Sequence, residues 1–194
     1  MIKKLLPVFT LIVFALGAKA QQAPYEFPAP QGWTTEKFAF PLSFAPKIPF
    51  KGTEELHLSP GWGKAESDEY WSYVFVWYLD SPGDVGAKEL DDYLTQYYSG
   101  LYMANLGKKP TPQAGFTQAE IKVAGQKEDG KYFDGTITTL DFLTGKPIKF
   151  FVTMNMRKLA DGHIVFLNEV SPKEYTQPVW ATLDGVIHSF KPAN

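Results

Sequence analysis

The spacing of apolar positions changes period twice along the chain. Between residues 33 and 50, Phe38, Phe40, Leu42 and Phe44 alternate with smaller or polar residues, the two-residue period of a strand. Pro41 interrupts this run and has no N–H to donate, so the strand is expected at a sheet edge. Residues 54–58 alternate weakly and run into Ser59-Pro60-Gly61, a turn. Residues 70–79 are apolar or aromatic at nearly every position, which predicts a central strand covered on both faces. Ser81-Pro82-Gly83-Asp84 then predicts a helix start. Leu90, Leu94, Tyr97, Tyr98 and Leu101 follow at helical spacing, and Gly107 is expected to close the segment.

The second half returns to strand character. Residues 117–126, 131–144, 148–158 and 163–170 form four strand-like runs, separated at Asp129-Gly130, Gly145-Lys146-Pro147 and Asp161-Gly162. Asp-Gly is a strong hairpin signal, so an antiparallel meander is expected. The third run places Ile148, Phe150, Val152, Met154 and Met156 on one face. Trp180, Leu183, Ile187 and Phe190 then form one stripe of a closing helix that must dock on the sheet. This order predicts an α+β domain: a twisted antiparallel sheet of about six strands flanked by two helices.

The N-terminus carries a different signal. Lys3 and Lys4 precede an apolar stretch from Leu5 to Leu16, followed by Gly17-Ala18-Lys19-Ala20. This is the form of a cleavable secretory signal, with cleavage expected after Ala20; the stretch is shorter than the roughly 20 residues of a spanning helix. Residues 21–32 read as a proline-rich spacer and 33–194 as a single domain. Removal of Lys3, Lys4 and Lys19 from 19 basic residues leaves 16 against 21 acids, a net charge of −5. That balance, with one arginine, Arg157, argues against nucleic acid. An exported, periplasmic or secreted protein with no cysteine must rely on its apolar core rather than on disulfides. No membrane span is expected in the mature chain.

The closing segment Trp180-Ala-Thr-Leu183-Asp-Gly-Val-Ile187-His-Ser189-Phe190 resembles the final helix of the PsbP-like superfamily, written W-x-x-L-x-x-I-x-x-S-F, with the isoleucine one place late. The resemblance extends as topology over most of residues 33–191 and implies an α/β/α sandwich. It also implies a non-catalytic assembly or binding role. The matching positions are core residues, so the resemblance carries over no site.

Motifs for chemistry are sparse. Gly125-Gln-Lys-Glu-Asp-Gly130-Lys131 has phosphate-loop spacing, but Tyr132 stands where Ser or Thr must hold magnesium, and a strand pattern follows. A hairpin is the better reading. The three histidines, His57, His163 and His188, lack metal-ligand spacing. A site built from His57 with Glu54, Glu55, Asp68 or Glu69 stays open as the weaker alternative, and no cofactor is expected. There is no G-x-S-x-G or S-x-x-K nucleophile.

Aromatic content stands above background. Trp62, Asp68, Glu69 and Tyr70 set rings beside carboxylates at a turn, a combination that can grip a sugar or a partner. Tyr97, Tyr98 and Tyr102 form a second candidate surface, on the expectation that three tyrosines cannot all face the core. Three readings follow. A non-catalytic envelope-assembly module, bound to another envelope protein, predicts an exposed aromatic patch. A small-molecule or glycan binder predicts a concave pocket with tryptophan on its wall. A hydrolase or metal-dependent enzyme predicts a histidine–carboxylate pair inside a cleft.

Overall fold

The computed structural model describes residues 24–80, 82–83, 85–107, 111–113 and 115–193. The expected signal segment, and Ser81 and Asp84 of the expected helix start, lie outside these residues. Nine strands and two helices are described: β1 (Tyr25–Glu26), β2 (Thr34–Phe40), β3 (Gly52–Leu58), β4 (Tyr73–Leu79), α1 (Ala87–Ala104), β5 (Gln118–Lys127), β6 (Gly130–Leu140), β7 (Pro147–Lys158), β8 (Ile164–Ser171), α2 (Val179–Ile187) and β9 (Lys191–Pro192). The main sheet has seven antiparallel strands in the order β2-β3-β4-β8-β7-β6-β5. This is the predicted α+β class with one strand more than expected.

All seven residues of β4 are buried, and alternation explains how. Tyr73, Phe75, Trp77 and Leu79 join Leu90, Leu94, Tyr97 and Tyr98 of α1 in one core. Val74, Val76 and Tyr78 join Trp180, Leu183, Val186 and Ile187 of α2 in the other. Bulky rings therefore fill the α1 face, and mainly β-branched side chains meet α2. At nine residues, α2 is below the length at which isolated helices persist in water, so docking of this stripe holds it. Among the described residues, no helix is long and apolar enough to cross a membrane.

The meander β5-β6-β7-β8 forms as expected. The phosphate-loop spacing is a hairpin, with Lys127 paired to Gly130 across the turn. The run predicted to reach residue 144 ends at Leu140, and residues 141–146 form a turn. α1 starts after Gly86, later than Ser81-Pro82-Gly83-Asp84 implied, and the Gly86 N–H donates to Glu89 Oε2 at 3.0 Å. It ends at Ala104 rather than at Gly107, with Asn105 N–H and Nδ2 both donating to Leu101 O.

Two expectations fail on burial. The proline-rich spacer is in part folded: Tyr25 and Phe27 are buried, and β1 pairs antiparallel with β9. Tyr97, Tyr98 and Tyr102 all face the interior, at 2, 2 and 1 % exposure. The face they enter is deep enough for rings, and the Tyr98 hydroxyl hydrogen-bonds that of Tyr73 at 2.5 Å.

α1 approaches the segment between β2 and β3 at Gly100. A Cβ there would stand 1.8 Å from Phe44 O, a backbone atom that cannot swing aside. Gly100→Ala is expected to destabilise the fold by about 2–3 kcal/mol despite the better helix propensity of alanine. Chemical denaturation tests this, and an unchanged or raised midpoint would contradict the close approach.

Candidate functional site

Between β2, β3 and the C-terminal half of α1 lies an aromatic-lined pocket of ≈ 380 Å³. Its origin is in the register. Phe38 and Glu36 of β2 pair with Glu54 and Leu56 of β3, so these side chains share the sheet face that looks at α1. The edge strand leaves this face partly open: Phe38 is 40 % exposed although it belongs to the apolar side. Tyr97 and Leu101 of α1 form the facing wall, and Phe44 stands against Tyr97 with ring centroids 5.0 Å apart.

One end is closed by the turn segment of residues 59–72. Its backbone folds on itself through successive tight bonds, including Trp62 N to Ser59 O at 3.0 Å and Trp71 N to Trp62 O at 2.9 Å. The two indoles meet edge to face at 4.9 Å, and Phe142 packs on Trp71 at 4.8 Å. Trp62 Nε1 is buried and has no hydrogen-bond partner. Trp71 has φ of +52°, a left-handed conformation that costs a bulky residue about 1–3 kcal/mol.

Asp141 fixes that strained residue. Its carboxylate, 3 % exposed, accepts from Trp71 Nε1 at 3.0 Å, Tyr70 Oη at 2.5 Å, Leu143 N at 2.7 Å and Thr144 Oγ1 at 2.5 Å. Burial pushes the Asp141 carboxyl up, but these four donors outweigh it and hold it below the usual range. The Tyr70 hydroxyl moves the other way, to about 12, through burial and the adjacent Asp141 charge.

The sequence-selected residues therefore divide. Trp62 and Tyr97 line the pocket. Glu69 instead accepts from Gly61 N at 2.8 Å and holds the turn segment together. Asp68 is exposed and pairs with Lys173 at 3.0 Å, and Tyr70 is committed to Asp141. Tyr98 and Tyr102 are interior. Sequence reasoning missed Asp141, Phe142, Leu56, Leu58 and Leu101. The Asp141-x-x-Thr144-Gly145 spelling is a turn signal that the apparent strand run obscured.

Beneath the pocket floor, Glu54 is fully buried, and its Oε1 accepts from Trp77 Nε1 at 2.9 Å. Burial raises its carboxyl to about 7; the Glu36 charge adds to this, and Trp77 and Tyr97 oppose it. Oε2 has no hydrogen-bond partner, so ionisation would leave charge on a bare buried oxygen.

The histidines lie elsewhere. His57 is buried on the opposite face of β3, stacked on Phe27 at 3.9 Å, with Nε2 3.4 Å from Glu55. His163 stands near Asp80 and Asp161, and His188 near Asp184. Among the described residues, no group of three or more histidine or acidic side chains has metal-holding geometry.

No family model matches the chain, and no curated protein matches it. Among solved structures, the chain is similar to the crystal structure of LpqN, involved in cell envelope biogenesis of Mycobacterium tuberculosis. The identity is 10%, the TM-score is 0.36, and the match covers 88% of this chain and 83% of that one.

Proposed function

We propose that this protein is an exported, non-catalytic binding module that holds one small molecule with an apolar body in the pocket beside Trp62. One observation carries the reading: a pocket of ≈ 380 Å³ at the open sheet edge is walled by aromatic side chains, Trp62 among them. Pockets of a few hundred Å³, mostly apolar with few polar groups, are the usual form of small-molecule sites. A glycan is the poorer fit, because its many hydroxyls need polar partners and these walls offer few. The exposed aromatic residues Phe38 and Tyr175 are separated in the fold: Phe38 lines this pocket, whereas Tyr175 packs on Phe151 and Trp180. That separation favours a pocket over an assembly patch. A sheet covered by helices on both faces, ending in the Trp180 helix, supports the PsbP-like resemblance as architecture.

Nile red, an uncharged fluorescent probe, is expected to bind with one-to-one stoichiometry. Trp62→Ala should weaken it by roughly 30-fold, the loss of about 2 kcal/mol typical of a truncated aromatic anchor. Unaltered affinity in the variant, with fold retained by circular dichroism, would remove the pocket as the site. Native mass spectrometry of protein purified from its own source then reads the mass of any retained ligand.

A further inference from the structure

We infer that the natural ligand carries an organic cation, an ammonium group on an apolar body; this rests on the pocket being the binding site. Among the described residues, Glu36 is the only charged side chain lining the pocket, and it takes part in no ion pair there. Its neighbour Lys37 cannot neutralise it from within, because alternation along β2 turns Lys37 to the other face. There its ammonium meets Glu55 at 3.0 Å and the ring of Tyr25 at 4.7 Å.

The rest of the lining reinforces the sign. Phe38, Phe44, Trp62 and Tyr97 present aromatic rings to the cavity, and ring faces carry negative quadrupole potential that attracts cations. Among the described residues, no lysine or arginine lines it. A fatty acid or a phosphate ester would bring its charge against Glu36 with no basic partner among them. A neutral ligand would satisfy the walls and leave Glu36 unused. An ammonium alone uses both the rings and the carboxylate, as aromatic cages for quaternary amines do. Size agrees too, since ≈ 380 Å³ accommodates a phenylalkyl-ammonium.

The test compares three probes of closely similar apolar body on the purified protein at pH 7 and low ionic strength: 4-phenylbutyl-trimethylammonium, 4-phenylbutanol and 4-phenylbutanoate. Titration calorimetry is expected to find the ammonium at least about tenfold tighter than the alcohol, with the carboxylate weakest. Glu36→Gln, at an exposed edge-strand position, should bring the ammonium to within about threefold of the alcohol and leave the alcohol unchanged. Glu120→Gln, also exposed but on β5, should change nothing. Equal affinity for ammonium and alcohol, or an advantage that survives Glu36→Gln or falls equally in Glu120→Gln, overturns the cationic ligand and leaves the pocket standing. Failure of all three probes overturns the pocket reading and this inference with it.

Discussion

Asp141→Ala is expected to lose about 3–5 kcal/mol of stability and, with it, the Trp62–Trp71 wall of the pocket. The carboxylate takes hydrogen bonds from four donors at 2.5–3.0 Å. Of these, Trp71 Nε1 belongs to a side chain only 2 % exposed. Stranding one such donor costs about 1–3 kcal/mol, and losing the other three bonds adds roughly 1 each where water cannot fully replace them. Trp71 also sits at φ +52°, a conformation that persists only while its surroundings enforce it. Release of the indole should therefore let the 59–72 segment relax and withdraw Trp62. Asp141→Asn separates the two effects. Its shape is conserved, but one oxygen becomes a donor facing donors, so an intermediate loss is expected. Thermal melts and Nile red titration together check this. Stability lost with unchanged probe affinity would show that Asp141 holds the turn without shaping the pocket.

The parts of the fold that sequence made legible are those where one periodic segment carries the whole signal. The two-sided burial of β4 follows from an unbroken apolar run, and the meander follows from alternation punctuated by Asp-Gly. The stripe from Trp180 to Phe190 docks as its spacing implies. What escaped is what needs two distant segments at once. β1 and β9 are two residues each, too short for any period, yet their pairing draws Tyr25 and Phe27 into the α2 core. Tyr97, Tyr98 and Tyr102 of α1 are more rings than helix spacing alone would place on one interior face. The Tyr98 hydroxyl meets that of Tyr73 from β4, and Tyr97 lies beside Glu54 from β3, partners that helix spacing cannot reveal. The pocket is harder still. Its lining is drawn from β2, β3, β4, the segment between β2 and β3, the turn segment, α1 and the β6–β7 turn, and of these residues the sequence singles out only Trp62 and Tyr97 as candidates.

Stability should peak near pH 5 and fall by about 4–5 kcal/mol by pH 8, the reverse of the usual trend for a protein rich in acids. Burial raises Glu54 to about 7. It does the same to Glu169, helped by the Asp184 charge and opposed by Thr153, also to about 7. Both carboxyls bind their protons more tightly folded than unfolded, where the ordinary value is 4.5. Below 4.5 both states are protonated and nothing is lost. Between 4.5 and about 7 the unfolded chain releases protons that the folded chain keeps, so each rise in pH favours unfolding by up to about 1.4 kcal/mol per unit per group. That amounts to about 3 kcal/mol for Glu54 and less for Glu169, which solvent partly reaches. Glu55 acts in the opposite sense. Burial would raise it, but His57, Lys37 and Tyr25 hold it at about 2, so its contribution is present above 4.5 and lost as pH falls toward 2. A domain of this size should lose roughly 10–15 °C in melting temperature between pH 5 and pH 8. The growing net negative charge pushes the same way, but salt screens surface repulsion and leaves the desolvation of a buried carboxyl largely untouched. Glu54→Gln keeps an acceptor for Trp77 and cannot ionise. It should therefore flatten most of the decline and melt higher than the wild type at pH 8, in low and high salt alike. A wild-type melting temperature that holds or rises between pH 5 and 8 would mean that Glu54 finds a compensating partner when it ionises, and that the pocket floor carries a negative charge at neutral pH.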